Sequence, residues 1–225
     1  IRAAETLPAA LLATQDWLMV LAFVSLLYGA VLAWRQQDLK AMVAYSSISH
    51  MGVVLLGIAT LNVTGLTGAV MQMVAHGLTA GLLFLVVGLL YQRTHTRDLA
   101  DYGSLLGRAP RFVFFTAFGL LAAIGLPGSA GFIAELHSLI GGFGRWGGWV
   151  LIVCLGMLIG AAYSLRVIGR LCLPGKPMEI ADMTRTEAVA AGILALAIVS
   201  LGVWPAPLLD LVAGSIGQVA RLFGA

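Results

Sequence analysis

The sequence predicts an all-α polytopic membrane protein of six transmembrane helices, the fourth of them broken. Three observations carry this. The 225 residues are 60% hydrophobic and 10% charged, with a mean hydropathy of +0.98, outside the range of soluble domains. Apolar runs of about the 20 residues that a helix needs to cross a bilayer recur along the chain. Trp17, Trp34, Trp146, Trp149 and Trp204 fall at the ends of these runs, where an interfacial aromatic belt belongs.

The chain opens at Ile1 with a loop-like stretch, 1–16, which lacks the charged and apolar regions of a signal peptide and reads as the start of a piece of something longer. Spans follow at Trp17–Trp34, Met42–Leu61, Leu66–Tyr91, Phe112–Phe143, Trp149–Leu171 and Glu187–Trp204, so that 17–204 forms one membrane domain. Pro205-Ala206-Pro207 stops the last span. The segment 205–225 carries Asp210 and Arg221 and reads as a short helix at the surface.

Alternate loops differ in charge. Arg35, Lys40, Arg93, Arg97, Arg108, Arg111, Arg170, Lys176 and Arg185 collect on one side, against Arg2, Arg145 and Arg221 on the other. By the positive-inside rule the first side is cytoplasmic, and both ends of the chain lie outside. A net charge of +3 that resides in such loops implies no nucleic-acid partner.

The run 112–143 is too long for one regular span. Gly125-Leu126-Pro127-Gly128-Ser129-Ala130-Gly131 interrupts it, and a proline with three glycines in seven residues cannot continue as helix. Gly125, Pro127, Gly128 and Gly131 are the expected hinge. A broken helix frees backbone polar groups at membrane depth, which is tolerable only beside protein or a water-filled path. Glu135 follows the break, and an ionisable group near the bilayer midplane is a functional candidate by default.

Few other polar residues interrupt the spans. Ser46, Ser49 and His50 share one face of the second span, as Gln72, His76 and Thr79 share one face of the third. Such stripes must face a partner helix or water, because unbonded hydroxyl and imidazole groups are costly in hydrocarbon. His50, His76 and Glu135 sit at similar depth, and two histidines with a carboxyl suit a proton relay as well as interhelical struts. His137 faces away from Glu135, and Arg166 and Arg170 sit where they can snorkel to the interface. Cys154 and Cys172 have no disulfide or metal spacing, and no catalytic, cofactor-binding or metal-ligating set is legible.

Asp38-Leu39-Lys40, Ala44-Tyr45-Ser46-Ser47-Ile48-Ser49-His50-Met51-Gly52, Gln72-Met73-Val74-Ala75-His76-Gly77-Leu78, His95-Thr96-Arg97-Asp98, Gly125-Leu126-Pro127-Gly128 and Ala134-Glu135 together resemble the antiporter-like subunits of respiratory complex I, the bacterial NADH:quinone oxidoreductase. The glutamate at the broken helix makes the chain most similar to the subunit M type, the counterpart of mitochondrial chain 4. The resemblance implies a fold of fourteen helices with two inverted repeats, of which this chain is the C-terminal half. It implies that Glu135 ends a proton path, with His50 and His76 on the axis leading to it beside Ser46, Ser49 and Thr79, and that Lys40 is a loop charge outside that axis. The first broken helix and its lysine and glutamate have no counterpart in these residues. The implied partners are the lipid bilayer of the bacterial inner membrane and the other membrane subunits, sister antiporter-like subunits among them. FMN and iron–sulfur clusters would lie on other subunits, with no redox chemistry on this one. A multisubunit cation/proton antiporter or membrane-bound hydrogenase shares this resemblance, and a non-conducting scaffold would use the same buried polar groups only to join helices.

Overall fold

The computed structural model describes residues 6–173 and 179–224, and the regular elements among them are helices. They are α1 (Pro8–Arg35), α2 (Leu39–Ala59), α3 (Val63–Thr94), α4 (Pro110–Ala123), α5 (Ala130–Trp146), α6 (Ile152–Cys172), α7 (Arg185–Val203) and α8 (Ala206–Arg221). Among the described residues five stretches have the length and hydropathy of a membrane crossing, one of them the 43 residues Ala130–Cys172, and Pro110–Ala123 is a shorter apolar helix. A 3-10 turn at Gly147–Leu151 divides that long stretch into α5 and α6, and Gly147, at φ 60°, ends the first.

Local chemistry sets the helix starts. Pro8 and Pro110 open α1 and α4, where a missing N–H costs nothing. The side chains of Asp38 and Asn62 accept from Ala41 N at 2.9 Å and Gly65 N at 2.8 Å, capping α2 and α3. Thr184 and Glu187 form a capping box at α7. Pro8 also corrects the expected loop 1–16, because the helix is already formed from that residue and Trp17 becomes its tenth position. Segment 205–225 is helical from Ala206 to Arg221 and packs through Ile216 and Val219 against Leu66, the fourth residue of α3.

In a bilayer, helices gain little by hiding apolar surface from one another, so association rests on close packing and interhelical hydrogen bonds. Both are present. A side chain at Gly68 would collide with Ser138 of α5, and one at Gly141 with the backbone of Gly65, so α3 and α5 meet almost backbone to backbone. At one end of the bundle Leu39 N donates to Arg97 O at 2.9 Å and Leu99 N to Gln37 O at 2.8 Å, while Arg93 meets Glu187 at 2.6 Å. At the other end the Gln15 amide joins α1 to the end of α2 and to Arg145 of α5, and Asn62 Nδ2 donates to Gly141 O at 2.9 Å. Arg35, Lys40, Arg93, Arg97, Arg108, Arg111, Arg170 and Arg185 lie toward the first end, and Arg145 and Arg221 toward the second. Arg2 and Lys176 lie outside the described residues.

Candidate functional site: a buried carboxyl–imidazole row

The site is built around the interruption between α4 and α5. Gly125, at φ +74°, closes α4 with two reversed bonds, its own N–H to Ala122 O at 3.2 Å and the Leu126 N–H to Leu121 O at 3.1 Å. Pro127 has no N–H to satisfy, Gly128 takes φ +92°, and Ser129 N returns to Leu126 O at 2.9 Å. The break is therefore the short segment 124–129. Gly131, expected within the hinge, is instead the second residue of α5. Its missing side chain serves packing, since a Cβ there would stand 2.9 Å from Ala122 O. Each half is too short to cross hydrocarbon alone, about 21 Å for α4 and 26 Å for α5 at 1.5 Å per residue.

Glu135, the sixth residue of α5, is buried. Its Oε1 stands 3.7 Å from His50 Nδ1, and its Oε2 rests over the bare Cα of Gly125. The His50 ring lies 5.2 Å from the His76 ring, centroid to centroid, with a tilt of 37°. Three side chains from α5, α2 and α3 thus form one row. Two small cavities flank it, each with room on the scale of a single water molecule. Ser49, Glu135 and Tyr163 line the first, Gln72, His76 and Thr79 the second, and His50 is a wall of both. His50 Nε2 and Gln72 Oε1 are buried without a hydrogen-bond partner among the described residues, so the imidazole retains capacity for a water or a proton and the amide oxygen for a water.

The remaining residues singled out in the sequence separate clearly. Ser49 Oγ donates to Leu26 O at 2.9 Å, fastening α2 to α1 at the cavity wall, and Ser46 Oγ donates to Val43 O at 2.8 Å within its own helix. Thr79 is buried at the far end of the row. His137 turns away and bonds Ile133 O through Nδ1 at 2.8 Å. Arg166 donates to Gln36 O at 2.9 Å and stands over the Trp34 ring, at the helix ends rather than in the row. Lys40 is exposed and outside the row, but in the first turn of α2 rather than in a loop. Tyr163 was not foreseen. It is the twelfth residue of α6, mid-helix, and its buried hydroxyl faces Ser46 and the Glu135 cavity. The available signal was its position, because a tyrosine far from a span end is not part of an interfacial belt.

This arrangement suits proton exchange. Histidine can take a proton on one ring nitrogen and release one from the other, so His50, with Nδ1 toward the carboxyl, Nε2 unpartnered and its ring bordering both cavities, can link the two. At 3.7 Å direct transfer to Glu135 requires a closer approach or one bridging water. Among the described residues no group of three His, Cys, Asp or Glu side chains could hold a metal.

Residues 1–160 match the protein family described as "NADH:quinone oxidoreductase/Mrp antiporter, TM". A Rhodobacter capsulatus protein named NADH-quinone oxidoreductase subunit M is 37% identical over 215 residues, 93% of this chain and 42% of that protein. Its Pseudomonas aeruginosa namesake is 40% identical over 209 residues, 92% of this chain and 41% of that protein. A chain in the structure titled "Respiratory complex I from Thermus thermophilus with bound NADH" superposes with a TM-score of 0.92 at 31% identity, covering 97% of this chain and 47% of that one. The chain spans about two-fifths of the length of the curated relatives it matches.

Proposed function

We propose a function that starts from family: the chain belongs to the NADH:quinone oxidoreductase/Mrp antiporter transmembrane family, and its buried row is a proton-transfer segment. The whole protein is a subunit of the M type in a bacterial respiratory complex I, and this chain supplies one broken-helix half of its proton path. Protons move between the Thr79–Gln72–His76 cavity and Glu135 through His50, with Ser46, Ser49 and Tyr163 framing the carboxyl side. Glu135 is the terminal group. Its charge state responds to charge changes arriving from neighbouring membrane subunits, because at low dielectric a nearby charge acts strongly on a buried carboxyl.

The single observation that supports this most is Glu135 itself, an ionisable side chain buried in a membrane helix within 3.7 Å of an imidazole and directly after a helix break. A scaffold would need neither a titratable pair nor cavities beside it. The oxidoreductase reading is preferred to the Mrp antiporter because the relatives at 37% and 40% identity carry the oxidoreductase name. On this reading the protein is multi-pass in the bacterial inner membrane, with the basic end of the bundle cytoplasmic and both ends of this chain periplasmic. Its partners are the other membrane subunits, including sister antiporter-like ones. FMN and iron–sulfur clusters, with the redox chemistry, lie on other chains of the complex.

The test is Glu135→Gln in the full-length subunit within reconstituted complex, with assembly checked on the same preparation. Glutamine keeps the shape and cannot ionise. Proton pumping falls sharply while assembly is retained. Unchanged pumping in assembled complex would return the broken helix to architecture alone.

A further inference from the structure

We infer that Gly125 is the seat of the Glu135 carboxyl, a positioning residue whose missing side chain determines where the proton-carrying group stands relative to His50. The geometry is independent of any activity, while its consequence for pumping rests on the proton role proposed for Glu135.

Two glycines of the break take positive φ, and they differ in their surroundings. At Gly128, φ +92°, a Cβ would meet nothing within 4 Å. Backbone conformation alone accounts for that glycine. At Gly125, φ +74°, a Cβ would fall 2.6 Å from Glu135 Oε2 and 3.5 Å from its Cδ. The carboxyl occupies the volume that any side chain at 125 would need. One of its oxygens faces His50 and the other lies on the Gly125 backbone, so two elements jointly define its rotamer.

The seat is itself held. A side chain at Gly202 of α7 would overlap the backbone of Gly128 and Ser129, so α7 presses on the break segment from outside. The reversed hydrogen bonds from Gly125 and Leu126 hold it from the α4 side. A displacement of residues 124–129 toward α5 therefore presses on the carboxyl and bears on the His50–Glu135 separation. The break is thereby a mechanical input to the proton row as well as an interruption of helix.

The experiment compares Gly125→Ala, Gly128→Ala and the double variant Gly125→Ala/Glu135→Asp in the full-length subunit of the assembled complex. The readouts are assembly, proton pumping and the infrared bands of the Glu135 side chain, the carbonyl stretch of its acid form or the carboxylate stretches of its ionised form, identified by their loss in Glu135→Gln. Both single variants force alanine into a left-handed conformation, so that backbone strain is common to the two and only Gly125→Ala adds the collision with the carboxyl. Only Gly125→Ala shifts the Glu135 bands and lowers pumping severalfold in the complex that does assemble. Aspartate withdraws the carboxyl by one methylene, so the double variant recovers part of that loss. Equal band shifts in the two single variants, or a double variant no better than Gly125→Ala, overturn the inference. If Gly125→Ala does not assemble while Gly128→Ala does, assembly regained in the double variant supports the seat and its failure overturns it. Intact pumping in Glu135→Gln would instead defeat the proposed function, and the band comparison would still decide the seat.

Discussion

Gln15→Glu adds a carboxylate beside Arg145 and nevertheless destabilises the bundle. The buried Gln15 amide works in both directions: Nε2 donates to Ala59 O at 2.8 Å and to Thr60 O at 3.3 Å, and Oε1 accepts from Arg145 Nη2 at 2.8 Å. The two carbonyls belong to the end of α2, where backbone acceptors lack helical partners and the helix dipole is negative. A carboxylate keeps the Arg145 bond and gains about 1 kcal/mol by making it charge-assisted. It has no donor for the carbonyls, and buried acceptors left unbonded cost about 1–3 kcal/mol. Negative charge at the negative helix end costs about 1–2 kcal/mol more in a partly buried setting. The net loss is about 1–4 kcal/mol. Thermal melting of the full-length protein in detergent checks it, as a lowered midpoint. The sign of the pH dependence is also determined. A protonated carboxyl regains an O–H donor, so the deficit of the variant shrinks on acidification and is complete only when the group is ionised. A variant melting at or above wild type at neutral pH, or a deficit that grows on acidification, would refute the reasoning.

Other outcomes follow from the same geometry. Glu187→Ala removes the capping box at α7 and the 2.6 Å bond from Arg93, and costs about 2–3 kcal/mol, read as a lower melting midpoint, with Glu187→Gln losing less because it retains a capping acceptor. His50→Ala lowers pumping more than His76→Ala in assembled complex, because His50 borders both cavities and is the imidazole beside Glu135; equal losses would count against the row as an ordered path. Tyr102, in the loop between α3 and α4, is pushed up in pKa chiefly by burial, and its hydroxyl donates to Thr96 O. Its folded value lies above the unfolded value of about 10, so its stability contribution is full below that pH and is lost as pH rises through the folded value. Tyr102→Phe should abolish that alkaline step in stability.

Much of the fold was legible in the chain because a bilayer leaves few options. Every backbone group in hydrocarbon needs a partner, so a long apolar run is a helix, and Pro127 with its glycines could only be an interruption. The readings that failed were local. The stretch before Trp17 reads as a loop, whereas Pro8 at a first helical position is the stronger signal. Gly131 looked like part of the hinge because composition cannot tell a glycine that turns the chain from one that admits a neighbour. Tyr163 was hidden among apolar residues of α6, and only its mid-span position marked it.

The order of residues is enough to show how many apolar segments there are, where one of them breaks, and which side chains would be stranded in lipid without a partner. All three follow from hydropathy and backbone hydrogen bonding, which are properties of residues and their near neighbours. What those side chains meet is visible only in the packed bundle: His50 between Glu135 and His76, Tyr163 across the cavity, Gly125 beneath the carboxyl, and Gly68 against Ser138. In lipid no apolar face is favoured over another, so the rotation of each helix is set by shape and by a few polar contacts between residues distant in the chain. That information resides in pairs of surfaces and exists only once the helices have packed.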